Sequence, residues 1–184
     1  MAPKVAIVIY SMYGHTATLA EAEKAGIEKA GGSATIYQIP ETLSEDVLTK
    51  MHAPPKPDYP IASASTLTEY DAFLFGVPTR YGNFPGQWKA FWDTTGSIWA
   101  KGGLAGKYVG QFVAGSSPGG GQEVTVLNSL STYVHHGLIF SMGHHLGAGT
   151  FSCPDGSRQP TNLEKETATI QGETFYNIVA KAFN

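Results

Sequence analysis

Cysteine is nearly absent. Cys153 stands alone in 184 residues, which excludes an internal disulfide and any CxxC metal or redox pair and fits a reducing compartment. Basic runs are missing too: 12 Lys plus Arg face 15 Asp plus Glu, for a formal charge of −3, so nucleic acid is not expected as a partner. No stretch reaches the roughly 18 apolar residues of a membrane span, and the opening "MAPKVAIVIYSMYGH" lacks a small-residue cleavage site. These absences point to a cytoplasmic protein. What is present is a globular composition, 42% hydrophobic and only 15% charged, with 22 glycines spread through turns and no repeat. That length and composition predict one domain over residues 1–184.

Hydrophobic patterning gives the order of elements. "KVAIVIY" (4–10) is a continuous β-branched run, as in a strand buried on both faces. Leu19, Ala22, Gly26 and Ala30 then recur at helical spacing until "GG" at 31–32. "SATIYQI" (33–39) alternates as a second strand, and the proline-rich stretch after it admits at most one short helix. "YDAFLFGVP" is strand three, "PGQWKAFWDTTGSIW" an aromatic helix ending near Gly96, and "GKYVGQFVAG" strand four. "QEVTVLNSLSTYVHHG" is a helix and "LIFSMG" strand five. Thr161 with Glu164 is a capping box opening a last helix, whose apolar face reads Ala168, Phe175, Ile178, Val179 and Ala182. Five strands alternating with helices predict an α/β fold, a doubly wound parallel sheet with helices on both faces.

In such sheets ligands bind beyond the carboxyl ends of the strands. Three segments occupy that edge: "SMYGHT" (11–16), "PTRYGN" (78–83) and "GSSPGGGQE" (115–123). The first offers a helix N-terminus, a glycine and the hydroxyls of Ser11 and Thr16, which can hold a phosphate without a lysine. The alternative is a plain turn in which Ser11 or Thr16 caps the helix. Neither GxxxxGK[ST] nor GxGxxG is present; "GGLAGKY" has the wrong spacing and a tyrosine where magnesium needs a hydroxyl of Ser or Thr.

Gly115, Ser117 and Gly119 satisfy the G-x-S-x-G nucleophile elbow, but Pro118 follows the serine. That position must donate its N–H to an oxyanion, and proline has none. All six histidines also precede Asp155, and the one acid between Ser117 and His135 is Glu123, just beyond the loop, so the expected serine, acid, histidine arrangement fails and a serine hydrolase is not expected. His135, His136, His144 and His145 come without acidic or cysteine ligand spacing, so no metal site is expected. As a bare pattern "HHG" is a helix-end feature.

Taken together, "YSMYGH", "PETL", "PTRYGN", "GQWKAFWD", "GGGQE", "HHG" and "DGSRQP" stand in the order found in the WrbA-type flavodoxin-like NAD(P)H:quinone oxidoreductases, and the chain resembles that family over nearly its whole length. The resemblance implies a five-stranded flavodoxin-like fold, FMN as cofactor, NADH or NADPH as donor, and two-electron reduction of quinones such as benzoquinones. It implies that Ser11, Met12, Tyr13, Gly14, His15 and Thr16 bind the FMN phosphate, with Tyr13 also contacting the nicotinamide nucleotide. Pro78, Thr79, Arg80, Tyr81, Gly82 and Asn83 would border or shape the isoalloxazine site. Gly115, Ser116, Ser117, Pro118, Gly119 and Gly120 would form a third wall. His135 would lie over the flavin and protonate or orient the hydroquinone oxygen, and Trp99 would reach the active site of a neighbouring subunit in a homotetramer.

The chain departs from the family at two places. "GSSPGG" is poorer in threonine and glycine than the family pattern, and the passage from Gly143 to Gly147 is shorter than family members usually carry, which would leave the flavin more open. Two other readings share the fold: a flavodoxin-type single-electron carrier and a non-catalytic FMN-binding regulatory module. A net charge of only −3 and Arg80 beside the ring argue against the first.

Overall fold

The computed structural model describes residues 2–141, 143 and 145–183. Strands β1 (Val5–Ile9), β2 (Ala34–Gln38), β3 (Ala72–Pro78), β4 (Tyr108–Gly115), β5 (Ile139–Phe140) and β6 (Gly149–Phe151) form one sheet in the order β2-β1-β3-β4-β5, with β6 also on β4, and every pairing is parallel. The intervening helices are α1 (His15–Lys29), α2 (Glu45–Lys50), α3 (Ala64–Thr68), α4 (Gly86–Asp93), α5 (Gly96–Trp99), α6 (Gln122–His135) and α7 (Asn162–Lys181). The winding reverses beside β1, which places the ligand edge at the ends of β1, β3 and β4.

Period-two alternation sorts the strands' side chains into two cores. Val5, Ile7, Ile9, Ala72 and Leu74 face α1 and α7, while Ala6, Val8, Tyr10, Phe73, Phe75 and Val77 face the opposite way. The second core is aromatic: Phe75 meets Trp88, Trp92 and Tyr133 with ring centroids 5.3, 5.4 and 5.6 Å apart. Trp88 is fully buried and donates from Nε1 to the Gly76 carbonyl at 3.2 Å, so its polar handle is satisfied.

On the other face α1 and α7 approach closely enough that backbones touch. A Cβ on Gly26 would lie 2.0 Å from the Thr169 carbonyl oxygen, and one on Gly172 would lie 2.1 Å from that of Glu23. Glu23 itself is wholly buried, and among the described residues neither carboxyl oxygen has a hydrogen-bond partner. Burial therefore holds its pKa well above the ordinary value.

Strand five differs from the sequence expectation. Instead of one run over 138–143, β5 pairs with Tyr108 and Val109, and β6 pairs with Val113, Ala114 and Gly115. The chain leaves the sheet after Ser141, and Gly143, at φ 75°, sits where a Cβ would be 2.8 Å from α7 backbone atoms. Gln171 of α7 fills the interruption: its Nε2 donates to the Gln111 carbonyl at 3.0 Å, and its Oε1 accepts from the Ala148 amide at 2.6 Å. The aromatic helix also splits into α4 and α5, and Ile178 and Ala182 lie exposed beside the face that Ala168, Phe175 and Val179 bury.

Candidate active site

A cavity of about 670 Å³ opens at the carboxyl ends of β1, β3 and β4. Ser11, Met12, Tyr13, His15 and Thr16 form its floor at the start of α1; Pro78, Thr79, Arg80 and Tyr81 form a second wall, and Gly115, Ser116 and Gly120 a third. Gly14, Gly82, Asn83, Ser117, Pro118 and Gly119 shape these loops without lining the cavity. Two further walls come from Met51 and His52 and from residues 152–156.

Each loop is held in a definite way. Gly14 caps α1 in the left-handed conformation, at φ 87°, and brings no side chain to the helix end. Ser11 Oγ instead accepts from the Ala17 amide at 3.3 Å, so the serine does cap the helix, as the plainer reading of the motif allowed. Its hydroxyl hydrogen is still free to donate to an anion. His15 is buried, and its Nε2 lies 2.7 Å from the Arg158 carbonyl oxygen.

In the second loop Arg80 and Asn83 exchange backbone hydrogen bonds of 2.9 and 3.0 Å around Tyr81 (φ 55°) and Gly82 (φ 71°). Two successive left-handed residues make this a type I′ turn, with tyrosine in a position that favours glycine or asparagine. The turn throws the Tyr81 ring entirely into solvent at the cavity lip. Thr79 Oγ1 is 2.6 Å from Thr125 Oγ1, and Asn128 Nδ2 donates to the Gly82 carbonyl at 2.7 Å, so α6 supports this wall. Arg80 spends one nitrogen on the Thr79 carbonyl at 3.0 Å and is otherwise exposed.

The Met51 and His52 wall is anchored by the Tyr13 hydroxyl, which donates to the Met51 carbonyl at 3.2 Å. Tyr10 donates to the Glu41 carboxylate, which also pairs with Lys56, whose ammonium lies 4.6 Å from the centre of the Tyr10 ring. Burial pushes the Glu41 carboxyl up, but the Lys56 ammonium and the Thr42 and Leu43 amides outweigh it and leave its pKa below the ordinary value. Burial and the neighbouring Glu41 charge push the Tyr10 phenol up, so it stays a donor.

His135 and Trp99 are not in this cavity. His135 ends α6, which begins two residues after Gly120 of the cavity wall, and 14 helical residues span about 20 Å, so His135 does not lie over its own chain's site. Within one chain His135 therefore stands away from the cleft. The two residues are brought together elsewhere: Trp99 Nε1 donates to the His135 carbonyl at 2.7 Å, and both side chains are exposed. His136, by contrast, is fixed by Thr95 Oγ1 at 2.8 Å, by the Thr132 carbonyl at 2.9 Å and by the Trp92 ring. Among the described residues no group of three or more His, Cys, Asp and Glu could hold a metal ion; His144 lies outside the described residues.

Sequence reasoning passed over two walls. His52 gave no motif signal, although it stands in the left-handed region at φ 53°. Residues 152–156 did leave a trace, because "DGSRQP" is among the motifs in family order and "PDG" is turn chemistry.

The architecture is that of a flavodoxin-like α/β protein. More closely, the chain belongs to the family described as NADPH-dependent FMN reductase, which matches residues 3–147. It is 60% identical over 199 aligned residues to NAD(P)H quinone oxidoreductase PST3 of Candida albicans, covering 98% of this chain and 100% of the relative. It is 57% identical over 197 residues to Protoplast secreted protein 2 of Saccharomyces cerevisiae, covering 97% and 99%. Both alignments are longer than the chain, so each relative carries residues that this chain lacks. A WrbA-like flavodoxin from Agrobacterium tumefaciens matches the fold with TM-score 0.72 at 24% identity, over 97% of this chain and 98% of that one.

The cavity suits a flavin mononucleotide on its own chemistry. The N-terminus of α1, with Ser11 and Thr16, supplies donors and positive potential for a phosphate. Gly115 and Gly120 line the third wall, and about 670 Å³ is in the usual range for cofactor clefts.

Proposed function

We propose that the chain is an FMN-dependent NAD(P)H:quinone oxidoreductase acting as one flavodoxin-like domain. The observation that carries this is the multi-walled cleft at the strand ends, with the N-terminus of α1 and the hydroxyls of Ser11 and Thr16 at its floor. The PST3 relative bears the corresponding name. When bound, FMN would supply hydride chemistry, taking two electrons from the nicotinamide and passing them to a quinone.

The chain's own residues bind and orient. Ser11 and Thr16 donate to the cofactor phosphate, and the α1 dipole favours its charge. Arg80, exposed and bonded only to the Thr79 carbonyl among the described residues, offers positive charge to the reduced ring or to a nucleotide phosphate. Tyr13 stands at the same mouth, for the nicotinamide nucleotide. Residues 152–156 limit access of water from one side.

His135 and Trp99 serve a second copy's cavity in this reading, in a homotetramer. Two features support it. Neither residue reaches its own cavity, and Val124, Leu127 and Val134 leave an exposed apolar stripe along α6 between them and the cleft. In the assembly His135 would hydrogen-bond the quinone oxygen as it gains its proton. Leu127→Glu is expected to lower the mass measured by light scattering.

The site of action is cytoplasmic in this proposal, in keeping with the single thiol. No helix among the described residues is long and apolar enough to cross a membrane. Cell fractionation tests the assignment, since one relative's name describes it as secreted.

The deciding experiment is anaerobic. The protein is loaded with FMN, its visible band is followed while NADPH or NADH is added, and benzoquinone is then introduced. Bleaching followed by recovery is expected. A bound flavin that never bleaches would reduce the chain to a binding module, and a stable one-electron signal would make it an electron carrier.

A further inference from the structure

His15 belongs to the loop expected to hold the FMN phosphate, yet its geometry gives it another task. Its Nε2 is 2.7 Å from the Arg158 carbonyl oxygen, across 143 residues of sequence. A carbonyl can only accept, so Nε2 carries the hydrogen and donates. The ring is buried, and that contact ties the first turn of α1 to the last loop at the strand edge.

Arg158 is itself the clamp of that loop. Its amide donates to the Ser152 carbonyl at 3.0 Å, closing residues 152–158 into a compact excursion. Nη1 donates to the Phe151 carbonyl at 2.6 Å, Nη2 to Glu164 at 2.9 Å, and the guanidinium lies 3.7 Å from the centre of the Phe151 ring. The side chain therefore fixes the loop to β6 and α7, while the backbone carbonyl fixes it to His15. Residues 152–156, held between these attachments, form a wall of the cavity. The Ser152 amide donates to the Gly115 carbonyl at 3.0 Å and holds the start of the loop to β4, so the His15 bond is what ties its far end to the phosphate loop.

We propose that His15 and Arg158 form a strap that seats the 152–156 wall against the phosphate loop, making His15 a positioning residue for cofactor binding and not a ligand of the phosphate. The inference rests on the FMN reading for its consequence, but the strap itself can be tested without cofactor. Cys153 provides the probe, because it is the single thiol of the chain, is partly buried and lines the cavity.

The experiment measures the iodoacetamide alkylation rate of Cys153 and, separately, the FMN dissociation constant by fluorescence quenching. His15→Leu, which cannot donate, is expected to speed alkylation of the apoprotein and to weaken FMN binding about 2- to 10-fold, the range for one net hydrogen bond. His15→Gln can donate an amide hydrogen and is expected to restore both. Arg158→Met, which frees the loop from β6 and α7, is expected to speed alkylation as well, and it keeps the test open should His15→Leu not fold. Weaker FMN binding at an unchanged alkylation rate in His15→Leu would overturn the proposal and make His15 a direct ligand. Unchanged rates in both His15→Leu and Arg158→Met would remove the strap altogether. If the wild-type protein binds no FMN, the proposed function fails, while the alkylation series still decides whether the strap exists.

Discussion

Replacing Gly26 by alanine sets helix propensity against packing. At the start of the last turn of α1 the exchange should stabilise by up to about 1 kcal/mol, because glycine is among the poorest helix formers. The new methyl, however, would stand 2.0 Å from the Thr169 carbonyl oxygen and 2.8 Å from the Glu173 amide nitrogen, both backbone atoms of α7 that no rotamer change can move. An ordinary carbon to oxygen contact is about 3.3 Å or longer, so α7 must retreat by roughly 1.3 Å. Overpacking of this kind costs about 1–3 kcal/mol, and at its upper end it exceeds the propensity gain by about 2 kcal/mol. For a chain of this length that corresponds to a fall in Tm of about 4–8 °C, read by circular dichroism on the apoprotein. Gly96→Ala is the control, since nothing lies within 4 Å of its Cβ, and it should be neutral or stabilising. Adding Gly172→Ala should cost less than its separate effect, because both methyls push the same helix pair apart. A rise in Tm for Gly26→Ala would refute the close approach of α1 and α7.

Glu23→Gln should gain on the wild type as pH rises above the ordinary carboxyl range: the buried carboxyl stays neutral in the fold but ionises on unfolding, so the wild type loses stability until its own raised pKa is passed and the amide does not. Urea midpoints at several pH values would show it, and a constant difference would sink the idea. Glu164→Gln should behave in the opposite sense. Burial pushes its carboxyl up, but Arg158 and Thr161 outweigh that and depress it, so its contribution is present above the ordinary carboxyl range and fades as pH falls through the lowered value. The variant's deficit should accordingly shrink in acid. Tyr81→Asn relieves a left-handed backbone that costs a larger residue about 1–2 kcal/mol, so Tm should rise, while FMN binding weakens through loss of the ring at the cavity lip. A lower Tm would show that Tyr81 makes stabilising contacts in solution.

Much of this was legible before any coordinates. The continuous run in β1, the alternation in β2 and the Thr161 to Glu164 capping box each read directly, because local chemistry decides them. The three glycine-rich loops were placed on one edge by topology alone. What escaped depends on distant partners. Nothing in "AEAEKAG" signals that Glu23 is buried, since only the approach of α7 removes its solvent. The split fifth strand turns on Gly143 meeting α7 and on Gln171 reaching Gln111, contacts that sequence spacing does not contain. The family resemblance puts His135 over the flavin, and the length of α6 separates the two within one chain. His52 joined the cavity through the Tyr13 to Met51 bond, between residues far apart in sequence.

The interrupted strand has a consequence for solubility. A sheet edge with a long row of unpaired amides and carbonyls invites another chain to add itself, the first step of edge-to-edge aggregation. Here that edge offers two residues of β5 and three of β6, and the chain leaves the sheet after Ser141 between them. No incoming strand could keep register across so short and broken a template, so the same break that Gln171 seals from inside also protects the sheet from outside.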